Sequence, residues 1–346
     1  MAIPFASPTP KIRVRFEKER DALDGHFAFR NVPQRKANRL LIASWNIANL
    51  GVQDRTKGAR DVIAHILKQF ELIAVQEINE KYRTFEKIVE SLGPSYDYLM
   101  TDTAGNDERL AFVYDKRKVS PLKLFGELAL TRGEYPKRTV RVRYSENRVE
   151  KEQKFTNLKF VPFDRNPAIG TFKSGTIGFT LVNCHLYFGA FGRSSNPTNR
   201  KKYARRVLEI FALTKWADRR VNRTATYDRD IILTGDMNVP AMTEEDPAYN
   251  ALTAFGFLPL DYNVSKVGGS NLGNNKTYDQ MVFAPGSISR RIKDQGIFDF
   301  DNAIFKSKWA QLERTLSRSK AISTFARHVK YHISDHRPLW AELDIG

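Results

Sequence analysis

A set of short apolar runs, each bounded by a carboxylate, an amide or an imidazole, constrains this chain more than any other feature. The runs are Leu40 to Asn46, Glu71 to Glu77, Arg109 to Tyr114 behind Glu108, Ile177 to His185, Asp230 to Asp236, Thr277 to Phe283 and Leu339 to Leu343. Most are continuous and short, as strands buried on both faces are, and the last alternates apolar with polar. Between them the period becomes helical. Val62, Ile63, Ile66, Leu67 and Phe70 share one face. Phe85, Ile88, Val89 and Leu92 share another, ended by Gly93-Pro94, and Tyr203, Val207, Ile210 and Ala217 mark a helix over Lys201 to Arg220 with a basic polar side. Strands interleaved with helices predict an α/β layered fold, two sheets face to face with helices outside.

Residues 1–38 read as an N-terminal extension in which Ile12 to Phe16 alternates as an edge strand does. Residues 39–346 read as one domain. Thr131 to Phe163 is charge-dense and is an exposed β-hairpin or a long loop. Phe305 to Tyr331 is basic and partly helical. The domain therefore carries basic insertions near 132–160 and 305–331. The formal net charge of +17 favours a polyanionic partner, nucleic acid first and an anionic membrane second. The single cysteine, Cys184, excludes an internal disulfide and a cysteine-rich zinc site. No apolar run is long enough for a membrane-spanning helix, so no stable membrane insertion is expected. The first residues lack a basic stretch followed by an apolar one, so a cytoplasmic location is expected.

The polar strand ends carry the chemistry: Asn46, Glu77, Glu108, His185, Asp236 with Asn238, Asp279, and Asp335 with His336. Singly, each has an ordinary structural explanation, such as an Asx turn at Asp236-Met237-Asn238. Gathered at one rim, they make an oxygen-rich site with two imidazoles. Hard oxygen ligands select Mg²⁺, with Mn²⁺ as a substitute. Phosphate-ester hydrolysis needs a cation for the phosphoryl charge, a base for water and an acid for the leaving oxygen, and this set contains all three.

The ordered segments Ser44-Trp45-Asn46-Ile47, Gln76-Glu77, Glu108 to Tyr114, Arg165-Asn166-Pro167, Val182 to His185, Gly235-Asp236-Met237-Asn238, Thr277-Tyr278-Asp279 and Ile333 to Pro338 resemble the endonuclease/exonuclease/phosphatase superfamily, in its deoxyribonuclease I-like branch. The resemblance spans residues 40 to 343. It implies a four-layer α/β sandwich, with two mixed β-sheets packed face to face and the site at one rim. It implies Glu77 as principal metal ligand, helped by Asn46 and Asp335. It pairs His336 with Asp279 and His185 with Glu108, the imidazoles flanking the scissile phosphate. Asp236 and Asn238 orient water and hold phosphate oxygen, while Arg165 and Arg109 bind substrate. Two positions that contact duplex DNA in that branch are Asn79 and Asn106 here, and the branch's Tyr-Asp-Arg is Tyr278-Asp279-Gln280. The expected activity is Mg²⁺-dependent phosphodiester hydrolysis by a non-specific endonuclease, on DNA first and RNA second. One alternative is a phosphoesterase acting on phosphoinositides, sphingomyelin or other small phosphate esters. The other is a non-catalytic nucleic-acid-binding module, which would have a degraded catalytic set.

Overall fold

The computed structural model describes residues 5–8, 13–130, 138–146, 148–188, 194–223, 228–262 and 267–346. Its elements are α1 (Phe16–Phe29), β1 (Arg39–Leu50), α2 (Lys57–Leu67), β2 (Leu72–Asn79), α3 (Arg83–Leu92), β3 (Tyr96–Met100), β4 (Glu108–Asp115), β5 (Ser120–Glu127), β6 (Arg138–Glu146), β7 (Val149–Leu158), β8 (Ala168–Ser174) and β9 (Ile177–His185). They continue with α4 (Pro197–Val221), β10 (Ile231–Asp236), α5 (Pro247–Leu252), β11 (Leu258–Pro259), β12 (Asp279–Phe283), α6 (Ser287–Arg290), β13 (Ile292–Ile297), α7 (Lys306–Thr315), α8 (Arg318–His332) and β14 (Leu339–Asp344).

The strands form two mixed six-stranded sheets, β13-β14-β1-β2-β4-β3 and β11-β12-β10-β9-β8-β5, plus the two-stranded β6-β7. The parallel pairings are β1 with β2 and β9 with β10. Strand alternation sorts the side chains into layers. Leu40, Ile42, Leu72, Ala74, Leu110 and Phe112 belong to the core between the sheets. Leu41, Ala43, Trp45 and Val75 face the other way, against α1, α2 and α3. The second sheet is covered by α4 and α5. The result is a four-layer α/β sandwich, and the inner strands read as unbroken apolar runs because both faces are buried. Among the described residues no helix is long and apolar enough to cross a membrane.

One expectation changes, and one open alternative is decided. The stretch Ile12 to Phe16 does not make an edge strand over its described part. Phe16 begins α1, because Leu23 and Phe27 lie one turn apart and both bury against the first sheet's helical face. Phe27 stacks on Phe298 at 4.0 Å, and Asp299 accepts from His26 and Arg30, so residues 16–30 are packed into the domain. The charge-dense stretch, in its described part, is a hairpin: β6 lays Val140 and Val142 into the core while Arg141 and Arg143 stay exposed.

The second basic insertion folds as α7 and α8. His328 and His332, one turn apart on α8, are buried with ring centroids 4.5 Å apart, and Phe305 packs edge-on against both. Burial, together with His332 and Lys308, pushes the His328 pKa down to about 3, and burial with Arg55 pushes His332 to about 4. Below the unfolded value near 6.5 the unfolded chain takes up protons that the folded chain refuses, so stability falls as pH drops. Denaturation midpoints at pH 7 and 5.5 are expected to differ by about 2 kcal/mol from this source, and His328→Phe removes about half of it.

Candidate active site

The register of the strands builds the constellation. His185 ends β9 opposite Asp236 on β10, and Asp236 lies opposite Asp279 on β12. Three functional groups thus stand side by side on one face of the second sheet. Gly235 must be glycine: its φ is +130°, and a Cβ there would lie 1.9 Å from the Cys184 carbonyl oxygen. On the facing sheet, alternation turns Asn46 and Glu108 inward. Glu77 follows inward-facing Gln76, so alternation alone would turn it to the helical side. A bulge and a left-handed φ of 61° bring it back. Its Oε1 accepts from Asn46 Nδ2 at 2.8 Å and its Oε2 from the Asn49 amide at 2.7 Å.

Both imidazoles are fixed by carboxylates on one nitrogen and aimed at Asp236 with the other. His336 Nδ1 is 2.8 Å from Asp279 Oδ2, and His185 Nδ1 is 2.8 Å from Glu108 Oε2. Their Nε2 atoms lie 3.7 and 3.6 Å from the same oxygen, Asp236 Oδ2. That oxygen also accepts from Asn46 Nδ2 at 3.1 Å, and Oδ1 accepts from the Asn238 amide at 3.0 Å. Burial alone would raise the Asp236 pKa, but the charges of His336 and His185, with those hydrogen bonds, hold it below the usual carboxylate range. Burial likewise opposes the imidazolium of His336, yet Asp279 and Asp236 raise its pKa well above normal.

The donor set fits a small hard cation. Glu77 and Asp236 send two carboxylate oxygens toward one buried amide, and Asn46 Oδ1 has no hydrogen-bond partner. Turning that amide over would put its oxygen beside both carboxylates, a site of oxygen donors. Glu77, His185 and Asp236 also offer ligand atoms within 4.8 Å of one another, as do Asp236, Asp279 and His336.

The geometry places several of the expected residues in other contacts. Asp335, expected at the metal, accepts from Lys330 Nζ on Oδ2 at 2.7 Å. Arg165, expected on a substrate phosphate, is 5% exposed and directed inward. It donates to the backbone oxygens of His185 and Leu186 at 2.9 and 3.2 Å and to Glu108 Oε2 at 3.1 Å, supporting the His185 pair. Arg109, expected on substrate, follows inward-facing Glu108 and so points to the other side. It donates to Thr101 and Asp102 and stacks over Tyr82. Asn238 sits beside Asp236, but its side-chain amide donates to the Leu186 carbonyl at 3.2 Å.

Other contributors were assigned no role from the sequence: Arg55 left no motif signal, while Ser334, Gln76 and Asn183 lie inside the quoted segments. Buried Arg55 donates to the carbonyls of Ala48, Asn49 and Ile333, tying the end of β1 to the segment carrying His336. Burial lowers its pKa to about 10. Ser334 donates to the Asn46 carbonyl at 2.7 Å and accepts from the His336 amide at 3.0 Å. Beneath the site, Gln76 donates to Asn183 Oδ1 at 2.6 Å, and Asn183 donates to the carbonyls of Val75 and Ala111 at 3.0 Å each. This network joins the two sheets directly below the candidate site.

No protein-family model matches the chain, and no curated protein matches it. Among solved structures it is similar to the Bacteroides thetaiotaomicron mannosyl-6-phosphatase, with 17% identity over 88% of this chain and 99% of that one and a TM-score of 0.50. It is also similar to an endonuclease/exonuclease/phosphatase family protein of the same organism, with 18% identity, 88% and 94% coverage and a TM-score of 0.48. A third is D. rerio TDP2 complexed with a single-strand DNA product, with 14% identity, 88% and 98% coverage and a TM-score of 0.47. The fold is the one it shares with the mannosyl-6-phosphatase structure.

Proposed function

We infer that this chain, which has the fold of the endonuclease/exonuclease/phosphatase proteins, is a metal-dependent phosphoester hydrolase acting as a non-specific endonuclease on DNA. The observation that carries the reading is the facing pair of carboxylate-fixed imidazoles, both aimed at Asp236 Oδ2 and flanked by Glu77 and Asn46. A Mg²⁺ ion held by Glu77 and the Asn46 amide oxygen would neutralise charge on the phosphoryl oxygens. Asp236, kept ionised, orients the attacking water and accepts its proton. One imidazolium donates to the leaving oxygen while the other binds a phosphoryl oxygen. Asp279 and Glu108 keep each ring's outer nitrogen occupied, so Nε2 is the working atom. The nucleic-acid assignment is supported by the net charge of +17 and by exposed Lys306, Arg314, Arg318, Lys320 and Arg327 on α7 and α8.

Supercoiled plasmid is expected to give open circles with wild type and Mg²⁺, and none with EDTA or with His336→Ala. Release of inorganic phosphate from phosphomonoesters by the wild type, with plasmid left intact, would replace the nuclease by a phosphatase using the same groups.

A further inference from the structure

The segment leading into α1 and the α7–α8 pair enclose a cavity of about 360 Å³, lined by Arg13, Arg15, Lys18, Lys306, Lys308 and His328. That volume falls in the range of ligand sites, roughly 300–1,000 Å³. None of these residues belongs to the catalytic rim. Among the described residues none of the five cations pairs with an acid. The carboxylate on the wall, Glu19, accepts from the Phe305 amide on Oε2 at 2.8 Å.

Three features of the cavity ask for an anion. Lys308 is 8% exposed, and its ammonium reaches Gln311 Oε1 at 3.3 Å. A buried ammonium without a counter-ion is costly. His328 is fully buried, and neither ring nitrogen has a hydrogen-bond partner. Finally, α7 begins at the cavity wall, so Lys306, Ser307 and Lys308 bring the free amides of its first turn there. The N-cap side chain makes no capping bond and no acid lies in the first turn; Glu19 reaches only the amide of Phe305, before it. The N-cap residue, Phe305, has a left-handed φ of 58°. A helix start favours negative charge, and oxyanions bind there through backbone N–H groups.

We propose that this cavity is a second anion site, taking a phosphate-type oxyanion on the α7 amides, the Lys308 ammonium and a His328 ring nitrogen. The exposed Arg13, Arg15, Lys18 and Lys306 surround it. The phosphate is either part of a nucleic-acid backbone or carried by a free phosphorylated compound.

Inorganic phosphate titrated calorimetrically into the full chain, in EDTA and at constant ionic strength, tests the site. Without metal the carboxylates of Glu77, Asp236 and Asp279 repel phosphate from the catalytic rim. Lys308→Met is expected to weaken phosphate binding about tenfold, with hydrolysis of bis(p-nitrophenyl) phosphate under Mg²⁺ unchanged. Should Lys308→Met fail to fold, the exposed pair Arg15→Gln/Lys18→Gln gives the same test with a smaller loss. A labelled single-stranded oligonucleotide, followed by anisotropy, separates the sources. Affinity lost in parallel with phosphate in Lys308→Met identifies a nucleic-acid backbone, and unchanged affinity identifies a free phosphorylated compound. Absence of phosphate binding by wild type, or equal binding by wild type and variants, overturns the proposal.

Discussion

Replacing Asp236 by Asn is expected to lower the proposed Mg²⁺-dependent cleavage of DNA by roughly 1,000-fold, with little change in the denaturation midpoint. The shape of the side chain is kept, so the Asn238 amide can still donate to its oxygen. What is lost is the charge at the point where Asn46 and both imidazoles converge. An amide cannot accept the proton of an attacking water, and it no longer holds two imidazolium rings in place. The effect falls on kcat rather than KM, because water orientation matters most in the transition state. Single-turnover cleavage of a labelled duplex reads the step directly. A kcat within tenfold of wild type would remove Asp236 from the chemistry and leave it as a packing acid.

Arg337→Met destabilises the fold by about 3–5 kcal/mol and loosens the site at the same time. The guanidinium is buried and bidentate: Nε and Nη2 each lie 2.7 Å from an oxygen of Asp301. Its third nitrogen donates to the Gly269 carbonyl at 3.1 Å and to Asn274 Oδ1 at 2.6 Å, and its backbone amide donates to the Ser270 carbonyl at 2.7 Å. Ser270 in turn accepts from the Asp279 amide at 3.1 Å. One side chain therefore links the segment carrying His336 to the loop that seats its carboxylate partner. Methionine fills the volume but leaves Asp301 buried and unpaired. Urea denaturation checks the loss, and the double variant Arg337→Met/Asp301→Leu is expected to recover most of it while activity stays low. If the double variant is as unstable as the single one, the cost lies in the loop contacts and not in the uncompensated carboxylate.

Much of this molecule is written locally. The inner strands are apolar throughout because both faces are buried, and α2, α3 and α4 show their buried stripes by spacing. The polar groups at the strand ends were legible for the same reason: a charge closing an apolar run needs a purpose. Where local pattern failed, a longer-range contact had taken over. The pattern at Ile12 to Phe16 alternates, yet Phe16 starts a helix because Leu23 and Phe27 find the first sheet's outer layer. Arg165 carries the residue type of a phosphate clamp, but nothing in its neighbours shows that its guanidinium is spent on Glu108 and two carbonyls.

By itself, the sequence determined the layered α/β architecture, the strongly basic net charge and the list of groups available for chemistry, because hydrophobic period and residue type are properties of short stretches. Only the tertiary structure decided which of those groups meet. Glu77 reaches Asn46 through a bulge, Asp236 receives both imidazoles through strand register, and Asp335 goes to Lys330. Each depends on which strands become neighbours and how they are offset, and a shift of one residue would turn every side chain to the opposite face.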